Sequence, residues 1–378
     1  MTFAKRVVRN RDVALVLVFF GVLMVIPARL AASDVRNFAA LRGRVSVLWT
    51  RGPSDTRAYP VWVWRPPGPD SAALPVVYFL HGYPGEARDC FSAGMAALLD
   101  QRLRAGYPPF VVACPDGNGA AHSDTEWANA ADGTDQVMSR VTGADIAAVE
   151  GARRRPAALR VIAGFSMGGY GAMNMAMQNR QLFGTVVSIS GYFVTNDLSD
   201  MFGDLPAALA RNDPSAHPAA ARGMHVILEE DANDPLKLVR GQAAWMAGRL
   251  SAAGVPAVLR VSPGQHTWPY AISAFADSLT YLEQYWQQCA EADAAYRGVR
   301  FLLLSARRNH RAGLPPDSGA SSRTILAGGR PHSNGQPLLA VISVQAGRGR
   351  GARVRGRWRG AGRGFRLDRG PGDRRPVL

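Results

Sequence analysis

The run Leu159–Ala163 (LRVIA) leads into Gly164-Phe165-Ser166-Met167-Gly168, and a helix-forming stretch continues to about Asn179. A short, continuous apolar run reads as a strand covered on both faces. A serine between glycines where such a strand meets a helix implies a sharp turn. The residues two positions to either side must be small, or strand and helix collide. The serine oxygen then projects clear of the sheet, at the positive end of the helix. The junction is therefore a β-then-α unit carrying an exposed nucleophile.

The same alternation runs through the middle of the chain. Val45–Trp49 and Ala58–Trp64 read as a leading antiparallel pair, with turn residues Gly52 to Asp55 between them. Val76–Leu80 (VVYFL), Phe110–Ala113, Thr185–Ile189, Met224–Leu228 and Ala257–Val261 read as further strands. Helical stretches are expected at Ala93–Arg104, Val137–Arg154, Gly168–Asn179, Pro235–Ala253 and Trp268–Tyr285. Repeated β-then-α units predict an α/β fold, with a mostly parallel central sheet and helices on both faces.

Charge separates the core from the C-terminal end. The chain of 378 residues has a formal charge of +15, and the stretch from Arg297 on holds 18 arginines and three aspartates. Residues 1–296 are therefore neutral, and no nucleic-acid partner is expected for the core. Residues 297–378 read as an Arg/Gly-rich tail with too little apolar surface to order itself, outside the 33–296 catalytic domain. Attraction of that tail to RNA, an anionic polymer or a lipid surface is the competing reading.

At the other end, Lys5, Arg6, Arg9 and Arg11 precede the apolar run Val13–Ala28. Residues 1–32 read either as a cleaved signal or as an N-terminal membrane anchor through residues 13–28. In both cases the remainder lies outside the cytoplasm, secreted or anchored. Cys90, Cys114 and Cys289 allow at most one internal bridge, and buried structural thiols are the expected state. No Cys or His spacing suggests a metal site, and no cofactor is expected.

A serine hydroxyl needs a base. Of seven histidines, His310 and His332 fall in the tail, His217 precedes a proline, and His225 sits within a strand and reads as packed. His81 follows VVYFL and reads as structural, while His122 lies in the loop Asp116–Ser123 and stays open. His266 follows the last strand of the core on a loop that opens a helix, where ligand chemistry gathers in parallel sheets, and is the expected base. The acid that orients it should follow the strand MHVIL. Asp234, the last carboxylate before the next helix, is preferred, with Glu230 and Asp231 as alternatives. An oxyanion needs two converging N–H donors. The amide of Met167 is one, and the loop His81-Gly82-Tyr83-Pro84-Gly85 should supply the other. Gly82 lets the backbone approach the site closely, and the Tyr83 N–H is the candidate, since Pro84 has none.

These pieces resemble a family of α/β hydrolases, the Putative esterase family. It includes esterase D-type S-formylglutathione hydrolases, feruloyl esterase modules and the antigen 85 mycolyltransferases. FLHGYPG (79–85), GFSMGGYGAM (164–173), DANDP (231–235) and GQHTWPY (264–270) carry the likeness. The resemblance implies the α/β-hydrolase fold, Ser166, Asp234 and His266 as the triad, Met167 and Tyr83 as the oxyanion hole, and Trp268 as a pocket wall. The chain departs from the mycolyltransferases at His81, where they carry an acidic residue before the glycine. The expected activity is a serine esterase acting on a small-molecule, lipid or glycan ester. Its alternatives are transfer of the acyl group to a sugar hydroxyl and a silent envelope protein that binds glycans or lipids.

Overall fold

A computed structural model describes residues 41–68, 74–195, 197 and 199–288, with the backbone of three further strands between 323 and 359. Residues 1–32, with the Val13–Ala28 run, lie outside the described residues, as do Cys289, His310 and His332. Two compact units divide the chain, Met1–Thr280 and Tyr281–Leu378.

In the first unit, β1 (Arg44–Thr50) pairs antiparallel with β2 (Tyr59–Arg65), in the register Val47↔Trp62. Then come β3 (Val76–Leu80), helices α1 (Asp89–Ser92) and α2 (Met95–Arg104), and β4 (Val111–Pro115). A broken helical segment follows: α3 (Val137–Arg140), a π turn over Val141–Asp145, and α4 (Ile146–Glu150). It replaces the single helix expected to Arg154, because Gly151 takes a positive φ of 58° and ends it. Beyond it lie β5 (Arg160–Phe165), α5 (Met167–Gln178), β6 (Thr185–Ile189), α6 (Pro206–Arg211), β7 (His225–Asp231), α7 (Gln242–Ala252) and β8 (Ala257–Ser262). A last helix, α8, spans 268–288 and so runs across the division at Thr280.

The eight strands lie in the order β1-β2-β4-β3-β5-β6-β7-β8, with β2 antiparallel to β4 and every later pairing parallel. Every residue of β3, β5 and β6 is buried, so these strands show no alternation of apolar and exposed polar residues, and β3 (VVYFL) is a continuous apolar run. Parallel pairing sends the carboxyl ends of β3 to β8 to one edge of the sheet, and the loops after β3, β5, β7 and β8 share that edge. Helix α5 is buried from Met167 to Met177 and packs on β5, β6 and β3.

Cys90 and Cys114 form a disulfide, which corrects the expectation of buried thiols. The pairing depends on β3 and β4 being neighbours, so that α1, which follows β3, returns over the end of β4. His225 is corrected too: it is the first residue of β7 and exposed, because burial of that strand begins only at Val226. In the second unit, β9 (Arg323–Gly329), β10 (Leu338–Gln345) and β11 (Arg353–Arg359) form an antiparallel sheet with β10 in the middle. These ladders stand within the stretch whose composition argues against order; the central run, LLAVISVQ, is rich in β-formers. Among the described residues, no helix is long and apolar enough to cross a membrane.

Candidate active site

Ser166 stands between β5 and α5 with φ 59° and ψ −120°, a conformation that L-residues avoid. The turn is enforced by close approach. A methyl group on Gly164 would lie 2.2 Å from the Gly168 carbonyl oxygen, and one on Gly168 would lie 2.2 Å from that of Leu80. Both positions therefore admit only glycine. The Ser166 N–H donates to the carbonyl of Ile189 at 2.9 Å, which ties the turn to the neighbouring strand. Met167 opens α5, so its N–H is among the four without an intrahelical acceptor.

The loop after β8 brings His266 over this turn. Its Nε2 lies 2.8 Å from Ser166 Oγ and its Nδ1 lies 2.7 Å from Asp234 Oδ2. The Phe165 ring packs against the imidazole with centroids 4.7 Å apart and limits its tilt. Asp234 is fully buried, and its second oxygen accepts the Leu236 N–H at 2.9 Å, which fixes the carboxylate plane. A serine oxygen, an imidazole and a carboxylate in line can pass a proton from the oxygen to the ring while the carboxylate steadies the cation that forms.

The competing carboxylates have other partners. Glu230 accepts the N–H groups of Gly241 at 2.5 Å and Ala244 at 3.1 Å, at the start of α7. Asp231 Oδ1 accepts the Asn233 N–H at 2.8 Å in a tight turn. Helix α7 begins at Gln242 rather than near Pro235, and residues 237–241 are turns. Glu229, one position earlier, accepts the Ser278 hydroxyl at 2.8 Å, and burial pushes its carboxyl up to about 7.

The loop after β3 borders the serine. A Cβ built on Gly82 would lie 3.1 Å from Ser166 Cβ, so Gly82 runs directly beside the turn, and Tyr83 is the next residue of that loop. Trp268 stands with its ring 5.6 Å from Phe165 and 6.2 Å from Phe79. His81 and His122 stand outside the Ser166–His266–Asp234 line, each held by other hydrogen bonds. His122 Nδ1 is 3.0 Å from Asp135 Oδ2, and the same carboxylate gathers the N–H groups of Ala120, Ala121 and His122. His217 Nε2 is 2.9 Å from the Ala210 carbonyl.

Two groups near the site escaped the sequence reading. Trp127 is fully buried, donates its indole N–H to the His81 carbonyl at 3.0 Å, and sits against α5. Tyr192 stacks on Tyr170, 4.9 Å away, and donates to the buried Glu126, whose carboxyl is pushed well up by burial and by Asp124. Both pairings join segments distant in sequence, and no local pattern marks them. Among the described residues, no group of three or more His, Cys, Asp or Glu is placed to hold a metal ion.

The model of one protein family, described as "Putative esterase", matches residues 54–282, which contain every residue of this site. Among curated proteins nothing matches the chain. Solved structures give fold likenesses. A ferulic acid esterase has a TM-score of 0.57 at 18% identity, covering 65% of this chain and 99% of its own. An S-formylglutathione hydrolase from Agrobacterium tumefaciens has a TM-score of 0.55 at 20% identity, over 65% and 96%. A fluorophosphonate-binding serine hydrolase from Staphylococcus aureus has a TM-score of 0.53 at 19% identity, over 64% and 98%. The shared architecture is the α/β-hydrolase fold.

Proposed function

Because the chain belongs to the Putative esterase family, we propose that it is a serine esterase that cleaves carboxylic esters through an acyl-enzyme on Ser166. The reading is carried by the His266 imidazole, which stands within hydrogen-bond reach of both Ser166 and Asp234. Ser166 Oγ attacks the ester carbonyl as His266 Nε2 takes its proton. The tetrahedral oxyanion is held by the N–H groups of Met167 and Tyr83, each contributing about 3 kcal/mol to the transition state. The carbon–oxygen bond to the alcohol then breaks, and His266 returns the proton to the leaving oxygen. Water, deprotonated by His266, releases the acid and restores Ser166. Phe165 and Trp268 line the approach for the apolar part of a small-molecule, lipid or glycan ester.

The protein works outside the cytoplasm in this reading. The basic residues before the Val13–Ala28 run support export, and the Cys90–Cys114 disulfide suits an oxidising compartment. Hydrolysis and transfer to a sugar share their first half-reaction, so the products decide between them. With p-nitrophenyl acetate, mass spectrometry is expected to find free acetic acid as the main product with and without a sugar acceptor. Acylated sugar exceeding free acid assigns an acyltransferase, and no turnover at all rejects both.

A further inference from the structure

His81 has no place in the proton path, yet it is one of the most fully engaged side chains of the core. It is 2% exposed and follows β3 directly. Both ring nitrogens are occupied: the Gly117 N–H reaches Nε2 at 2.9 Å, and Nδ1 lies 2.9 Å from the carbonyl oxygen of Gly82. The Trp127 ring meets the imidazole edge-on at 4.8 Å, and its indole N–H holds the His81 carbonyl. A backbone N–H can only donate, so Nε2 must be the lone-pair nitrogen. The ring is then neutral, with its proton on Nδ1, donating to the Gly82 oxygen. Burial acts in the same sense and lowers the pKa of the ring.

The Gly82 oxygen belongs to the peptide that joins Gly82 to Tyr83. That bond is trans; the cis bond of this loop is the next one, Tyr83–Pro84. In a trans peptide the C=O and the N–H point in opposite directions within one plane. Holding the Gly82 oxygen toward the buried imidazole therefore turns the Tyr83 N–H the other way, and Gly82 is the residue that lies against Ser166. Without that bond the peptide plane of a glycine could rotate at little cost, and the donor would leave its direction.

We infer that His81 is a positioning residue: its Nδ1–H anchors the Gly82 carbonyl and so aims the Tyr83 N–H at the oxygen that becomes negative when Ser166 attacks. The inference rests on the esterase reading and adds the group that keeps one oxyanion donor formed before substrate arrives.

Two substitutions separate the two nitrogens. Asparagine places its amide N–H₂ where Nδ1 stands and keeps the bond to Gly82. Glutamine reaches the Nε2 position, accepts from Gly117 and loses the bond to Gly82. For p-nitrophenyl acetate, His81→Gln is expected to lower kcat about 100-fold with KM within about threefold, the pattern of a lost transition-state donor. His81→Asn is expected to retain kcat within about tenfold of the parent. A His81→Gln kcat within threefold of the parent overturns the inference, and so does a His81→Asn kcat no better than that of His81→Gln. Should neither variant fold, the parent protein answers by ¹⁵N NMR of its histidines. A slowly exchanging Nδ1–H on His81 is required, and an Nε2–H tautomer overturns the inference. Parent protein that turns over no ester fails the esterase reading itself. Active parent with an equally active His81→Gln variant fails this inference alone.

Discussion

Ser166→Ala lowers kcat for p-nitrophenyl acetate by on the order of 10⁵- to 10⁶-fold while the thermal midpoint stays close to that of the parent. The magnitude follows from the role: with the oxygen gone no acyl-enzyme forms, and the remaining catalysis is what two N–H donors and substrate positioning supply to attack by water. The fold is spared because the turn is built by Gly164, Gly168 and the backbone bond from Ser166 to Ile189, none of which uses the hydroxyl. Alanine has the same aversion as serine to φ 59°, so the local strain is carried over unchanged. Ester turnover and circular dichroism on the same sample check both halves. Activity near that of the parent rejects Ser166 as nucleophile, whatever the geometry around it.

Asp234→Asn lowers kcat by about 10⁴-fold, through the wrong tautomer rather than through lost structure. The direction of the amide is set by the backbone. The Leu236 N–H donates to Oδ1, so an asparagine must keep its oxygen there and turn its N–H₂ toward His266. The N–H₂ then donates to Nδ1, the ring proton moves to Nε2, and Nε2 can no longer accept from Ser166. The control is Asp231→Asn. Asp231 lies three residues away and is equally buried, but its carboxylate faces the Asn233 N–H instead of the imidazole. It is expected to keep the rate within about threefold. If the two variants exchange behaviour, the acid is Asp231.

Much of this site is legible in the sequence because its parts are local. The turn at Ser166 needs only its own glycines, the strand before it and the helix after it. His266 is found by position alone, since the loop after the last strand of a parallel sheet reaches the same edge as Ser166. Asp234 is harder. Glu230, Asp231 and Asp234 crowd one loop, and what distinguishes them is that Glu230 caps α7 at Gly241 and Ala244. Leu236 and Val239 repeat at helical spacing and extend the apparent helix back toward Pro235, which hides where α7 begins. The disulfide and the indole bond from Trp127 to His81 are out of reach of any local pattern. Each depends on which strands become neighbours and on how tightly a loop folds back over them. The β9 to β11 ladders lie where arginine and glycine dominate, and β10 coincides with a short apolar run, Leu338–Gln345.

In the serine-esterase mechanism the Ser166 oxygen becomes covalently bonded during turnover. The measurement closest to it is the mass of the proteolytic peptide carrying Ser166 after treatment with a fluorophosphonate probe. One adduct per chain is expected, on Ser166, formed in step with loss of ester turnover. A folded, active sample whose Ser166 peptide stays unmodified while turnover is lost, or whose adduct sits on a different serine, contradicts it.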